Sequence, residues 1–176
     1  MARAAPPSLF DGRGTTRFKW TKRLDMRRLD ALGRYRIDLD EGVELLHAGL
    51  REQDTLTLTC DRLQATVDRV AAPAPAADAP KPAGTPVDLG APVQLRRIEG
   101  LGRVFVRTPE VDVECDTFDY DLATGIAQVA ARPGRMIKVL QRGDRAQPTP
   151  VQAESAVWDL QNGRIRIVGA SGSGMR

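Results

Sequence analysis

From Leu56 the chain alternates apolar and polar residues, Leu56-Thr-Leu58-Thr-Cys60, and after Asp61 the alternation resumes one residue out of phase as Leu63-Gln-Ala65-Thr-Val67. A period of two is the signature of a strand with one buried face, and a slip of one residue would turn every later side chain to the wrong face. A β-bulge or sharp corner at the slip keeps the apolar set inside while the strand bends or passes to a second sheet. The same grammar returns in Val111-Asp-Val113-Glu-Cys115-Asp116-Thr-Phe118-Asp-Tyr120-Asp121-Leu122. A third copy, Val151-Gln-Ala153-Glu154-Ser-Ala156-Val-Trp158-Asp159-Leu160, aligns without a gap to Val113 through Leu122. The predicted unit is strand, corner, strand, then a hairpin turn at Gly125 or Gly163, with corners at Asp61, Asp116 and Glu154.

Further alternating runs surround these units: Val104-Phe-Val106, Ile137-Lys-Val139, Ile165-Arg-Ile167, Tyr35-Arg-Ile37-Asp-Leu39 and Val43-Glu-Leu45. Helix signals are nearly absent, and Leu24 to Leu32 reads as a short turn or strand excursion. The fold class expected is all-β, an antiparallel assembly of roughly ten to thirteen short strands in a sandwich, open jelly roll or short solenoid.

Residues 71–92, AAPAPAADAPKPAGTPVDLGAP, hold six of the twelve prolines and little that would anchor a core. They read as a linker or long solvated loop. Residues 1–70 and 93–170 are then two parts of one β structure, followed by a tail at 171–176.

With 176 residues the chain is long enough to bury a core without metals or disulfides, and no apolar run approaches the roughly 18 residues of a spanning helix. Cys60, Cys115 and a single histidine, His47, are too few for structural zinc. His47, in Leu45-Leu46-His47-Ala48-Gly49, has no nucleophile elbow to serve and reads as a strand or turn residue. No metal, cofactor or catalytic residue is expected. The start of the chain lacks the apolar stretch of a signal peptide, so an exported protein would be a trimmed piece of a longer precursor.

Six carboxylates, Glu110, Asp112, Glu114, Asp116, Asp119 and Asp121, crowd one segment. Their alternate spacing reads as a solvated strand face rather than a calcium loop or a glycosidase pair. Nine bases between Arg13 and Arg36 oppose only Asp25 and Asp30. Such a cluster suits phosphates of nucleic acid or of an anionic lipid head group. Phe18 and Trp20, at alternate positions within it, read as a buried strand face. The net charge of only +3 makes no global case for nucleic acid.

The Val104 strand with its preceding Gly102, the Asp116…Tyr120-Asp121…Gly125 element and its echo Glu154…Trp158-Asp159…Gly163 resemble the OstA-like (LptA-like) domain of the lipopolysaccharide-transport bridge proteins. Asp61 and Leu63 match the start of a first copy. The resemblance implies a folded-over antiparallel sheet, jelly-roll or taco-like, in the periplasm or cell envelope, without catalysis and with an apolar groove for acyl chains. The groove residues expected are Leu58, Leu63, Val113, Phe118, Tyr120, Val151 and Trp158, with Arg23, Arg27 and Arg28 as head-group contacts. Expected partners are an amphipathic lipid such as lipopolysaccharide or a similar glycolipid, and other OstA-like domains pairing edge to edge. Nucleic acid is not expected, and membrane association is expected to be indirect. The alternatives are a structural envelope-assembly domain without ligand, or a nucleic-acid binder using the arginine cluster.

Overall fold

The computed structural model describes residues 15–48, 55–69, 93–142 and 150–170. The proposed linker at 71–92, the tail at 171–176 and Arg13 lie outside the described residues. Ten strands form one antiparallel sheet: β1 (Thr15–Lys19), β2 (Arg23–Arg28), β3 (Arg34–Ala48), β4 (Thr55–Arg69), β5 (Val93–Arg107), β6 (Val111–Asp121), β7 (Ile126–Ala130), β8 (Ile137–Gln141), β9 (Val151–Asp159) and β10 (Arg164–Ala170). Neighbours follow chain order, with β1 and β2 sharing β3 and with β7 and β8 lying between β6 and β9. The all-β expectation is met. Leu24 to Leu32 is strand β2 and the turn after it.

The corners fall on a single crease that crosses the sheet. The register slips between Asp40 and Val43 in β3, between Thr59 and Arg62 in β4, and between Leu101 and Val104 in β5. β6 exchanges its partner β8 for β7 between Glu114 and Thr117, and β9 does the same between Ala153 and Ser155. Asp61, Asp116 and Glu154 all stand on this line. Two limbs result, one on each side of the crease. The run 34–48, read from sequence as two short strands, is one fifteen-residue strand that pairs with β4 on both sides of an irregularity at Glu41 and Gly42.

Backbone chemistry explains the crease. Gly102 and Gly169 sit on it with φ of 71° and 66°, and a Cβ there would lie 2.7 Å from the Asp61 carboxylate or 2.8 Å from that of Glu154. Only glycine fits both the left-handed backbone and the space. Between β7 and β8, Pro133-Gly134 makes a turn closed by the Arg135 amide donating to the Arg132 carbonyl at 2.9 Å, with Gly134 at φ 80°. A type II turn requires positive φ at its third residue, which glycine supplies, and proline is favoured just before it.

Folding along the crease buries one face of the inner strands β3 to β9, while β2 and β10 at the ends of the sheet keep no fully buried residue. Leu39, Leu45, Leu58, Leu63, Ile98, Val104, Val113, Phe118, Tyr120, Ile137 and Trp158 belong to one continuous core. A Cβ on Gly100, in one limb, would touch Leu58 of the other at 3.7 Å. Tyr120 and Trp158 both pair with Ala127, whose small side chain leaves room for two large rings on adjacent rows. The turns after them are built alike. Asp121 accepts from the amides of Ala123 and Thr124, Asp159 accepts from those of Gln161 and Asn162, and Gly125 and Gly163 close them at positive φ.

Candidate functional site

The inner wall is the first place to look for a ligand. Leu58, Leu63, Val113, Phe118, Tyr120 and Trp158, six of the seven expected groove residues, lie together on it, each no more than 2% exposed. They form a shielded wall rather than an open channel. Burial also pushes the Tyr120 phenol upward, with the Asp121 and Asp159 charges adding to it.

Val151 departs from this group. It pairs with buried Val139 and shares the phase of buried Ala153, so it points inward, yet it is 41% exposed. The reason is coverage: β10 pairs with β9 only from Ala153 to Asp159, and among the described residues no strand flanks Val151 on that side. Sequence periodicity reads the face of a residue but not the reach of its neighbour.

The apolar interior meets solvent chiefly at the two ends of the sheet. Among the described residues, the outer edges of β1 and β2 and of β10 pair with no strand. At the first end, Phe18 and Trp20 are half-buried against the core, and Leu24 and Met26 pair inward with Leu39 and Ile37 while remaining exposed. At the other end Ile165 and Ile167 lie half-buried beside Trp158 and Ala156. The inward phase predicted for Phe18 and Trp20 holds, and it leaves no stacking platform on the outer face.

The arginine cluster is largely occupied within the chain. Arg23 pairs with Asp25 at 2.8 Å and Arg27 with Asp38 at 3.1 Å, while Arg28 donates to the carbonyls of Asp30 and Ala31 at 2.8 Å each. Lys19 and Lys22 pair with Glu44 and Glu41. A phosphate on this face would have to compete with these bonds, which weakens both the head-group role of Arg23, Arg27 and Arg28 and the nucleic-acid reading.

The acidic run is corrected at two positions. Asp112 and Asp116 are buried, not solvated. Asp112 takes Arg107 at 3.3 Å and Arg142 at 2.7 Å. Asp116 accepts from the Arg132 amide at 2.9 Å and from the Arg135 guanidinium at 3.0 Å, bracing the Pro-Gly turn where β7 gives way to β8. Glu114 and Asp119 are matched across strands by Lys138 and Arg97. No group of three metal-ligating side chains occurs among the described residues. The Pro133-Gly134 turn is a structural element that the strand reading passed over, although a Pro-Gly dipeptide between two alternating runs is a turn signal.

His47 is a buried β3 residue whose Nδ1 lies 2.9 Å from Thr16 Oγ1 on β1. Cys60 and Cys115 are buried and unbridged. Cys60 pairs with Val43 of β3 and Cys115 with Val104 of β5, and β5 separates the two cysteine strands. Burial pushes both thiols up to about 12 from an ordinary value near 9. The thiol form is kept by the fold while the unfolded chain ionises first, so stability falls as pH rises through that window. A thiol reagent at neutral pH should find both cysteines unreactive in the native protein and two free thiols after denaturation without reductant. Recovery of fewer than two would mean a bridge.

No protein-family model matches the chain, and neither does any curated protein. Among solved structures, the crystal structure of LptH, the LptA-homologous periplasmic component of the lipopolysaccharide transport device of Pseudomonas aeruginosa, is similar over 96% of this chain and 90% of its own, with a TM-score of 0.54 and 14% identity. The likeness is one of fold.

Proposed function

We propose that this chain is a non-enzymatic, OstA-like domain of the periplasm or cell envelope. It carries an amphipathic lipid, lipopolysaccharide or a similar glycolipid, along an apolar trough that lengthens by edge-to-edge pairing with similar domains. The observation that carries the reading is that, among the described residues, both ends of the sheet pair with no further strand and present inner-face apolar residues to solvent. The fold likeness to a lipopolysaccharide-transport component supports it.

The two ends suit each other. β1 and β2 run along the edge in the direction opposite to β10, as antiparallel augmentation requires. With the creases of two copies aligned, Leu24 meets Ile167, Met26 meets Ile165, and Asp25 meets Arg166 on the outer face. Joining would bury at each seam apolar area worth about 25 cal/mol per Å². Acyl chains would enter where Val151 and the Ile165–Ile167 margin meet water, and deeper entry would require the limbs to part around Phe118 and Trp158.

A photoreactive residue at Val151 should crosslink to lipopolysaccharide, and one at Gln128, exposed on the outer face, should not. Absence of a lipid adduct at Val151 would overturn lipid carriage. The shielded inner wall favours the second reading, a structural assembly domain with a packed interior. That reading retains a disulfide between copies carrying Leu24→Cys and Ile167→Cys but predicts no lipid adduct.

A further inference from the structure

The turn joining β2 to β3 holds two leucines out in water. The Asp30 carboxylate accepts from the amides of Leu32 and Arg34 at 3.0 Å each, the Leu29 amide donates to the Arg34 carbonyl at 2.8 Å, and the Arg28 guanidinium donates to the carbonyls of Asp30 and Ala31. Gly33, at φ 89°, completes the reversal. On this braced turn Leu32 is 89% exposed and Leu29 51%. Asp30, Arg28 and Gly33 account for the turn geometry, and neither leucine is needed for it. Both lie beyond the end of β2, so a strand added to that edge would not cover them.

Charge indicates what would. Arg27 and Arg36 share the single carboxylate of Asp38. Arg34 and Arg96 are matched by Asp30 and Asp68. Arg28 is held by carbonyls, which cancel none of its charge. Around the tip, five arginines therefore face three aspartates. A convex tip of two leucines is far short of the roughly 800 Å² per partner of a stable protein interface. It has the dimensions of an apolar anchor that enters the boundary between head groups and acyl chains, in a rim whose excess of arginine over aspartate favours an anionic surface with the ion pairs left intact.

We propose that the Leu29–Gly33 turn is a membrane-docking tip that inserts shallowly into an anionic bilayer surface. The domain would then touch the membrane directly rather than only through partners. This inference stands apart from lipid carriage in the trough, since it uses no inner-wall residue.

The test uses the full chain with Leu32→Cys carrying an environment-sensitive fluorophore, and Gln152→Cys, exposed on the other limb, as control; Cys60 and Cys115 are buried and do not compete for the label. With vesicles of phosphatidylcholine containing phosphatidylglycerol, the probe at 32 should shift to the blue and the probe at 152 should not. Pure phosphatidylcholine should give a weaker response, and added salt should reduce binding without abolishing the shift of the bound fraction. In the unlabelled chain, Leu32→Asp should lower vesicle association about tenfold or more while leaving the circular dichroism spectrum unchanged. Leu32→Ser, milder still for folding, should lower it by a smaller factor. The proposal is overturned if both variants bind vesicles like the parent, or if the probe at 32 stays in water while the protein sediments with lipid. It is also overturned if that probe responds to rising protein concentration without vesicles, which would make the tip a protein contact.

Discussion

Phe118→Asp should abolish the cooperative unfolding transition altogether. The side chain is 1% exposed, on the inner wall beside Tyr120 with ring centroids 6.3 Å apart, and it pairs with Gly100 on one neighbouring strand and Val129 on the other. A carboxylate there meets no cation and no water, so it carries a desolvation penalty of several kcal/mol on top of the lost packing. Phe118→Ala is the graded version. It should lower stability by about 3–5 kcal/mol, a large share of the roughly 5–15 kcal/mol that holds an ordinary domain. Urea unfolding followed by circular dichroism should show an earlier midpoint at an unchanged slope. A Phe118→Ala chain that unfolds with the parent would mean that Phe118 borders an open groove, and the shielded wall would have to be abandoned.

Asp116→Ala should be the most damaging change among the carboxylates of β6. Its loss strands the Arg132 amide and releases the Arg135 guanidinium, in a turn on which both β7 and β8 depend for position. A part-buried amide left without its acceptor and a lost charge-assisted bond together amount to about 2–4 kcal/mol. Asp116→Asn, which keeps one acceptor, should recover part of that. Asp119→Ala is the natural comparison, because Asp119 meets Arg97 in solvent and such pairs contribute about 0–1 kcal/mol. If the two alanine variants unfold together, Asp116 is not the brace of the crease.

Asp116 also illustrates how far alternation can be read. Its place at the phase slip between Cys115 and Phe118 is legible in the chain, because a slip leaves one residue that neither face can use. Its burial is not legible, since that depends on Arg132 and Arg135 arriving from sixteen and nineteen residues away. Asp112 repeats the lesson: by period it belongs to a solvated face, and Arg107 and Arg142 close over it. The arginines between Arg17 and Arg36 look like an open cationic patch in sequence. Carboxylates brought alongside by β3 and β4 pair with Lys19, Lys22, Arg27 and Arg34, while Arg23 and Arg36 are matched by aspartates two residues away on their own strands.

The expected groove divides on the same ground. A period of two with a one-residue slip settles which side of each strand faces inward, because side chains must alternate along a pleated backbone. That was sufficient for the all-β class, the corners and the inward phase of Leu58, Leu63, Val113, Phe118, Tyr120, Val151 and Trp158. It says nothing about whether an inward residue is covered. Coverage comes from the rows on either side and from the opposite limb, contacts between residues far apart in the chain. Phe118 and Trp158 are shielded because strands flank them and the sheet folds over them, whereas Val151 meets solvent because β10 stops alongside Ala153.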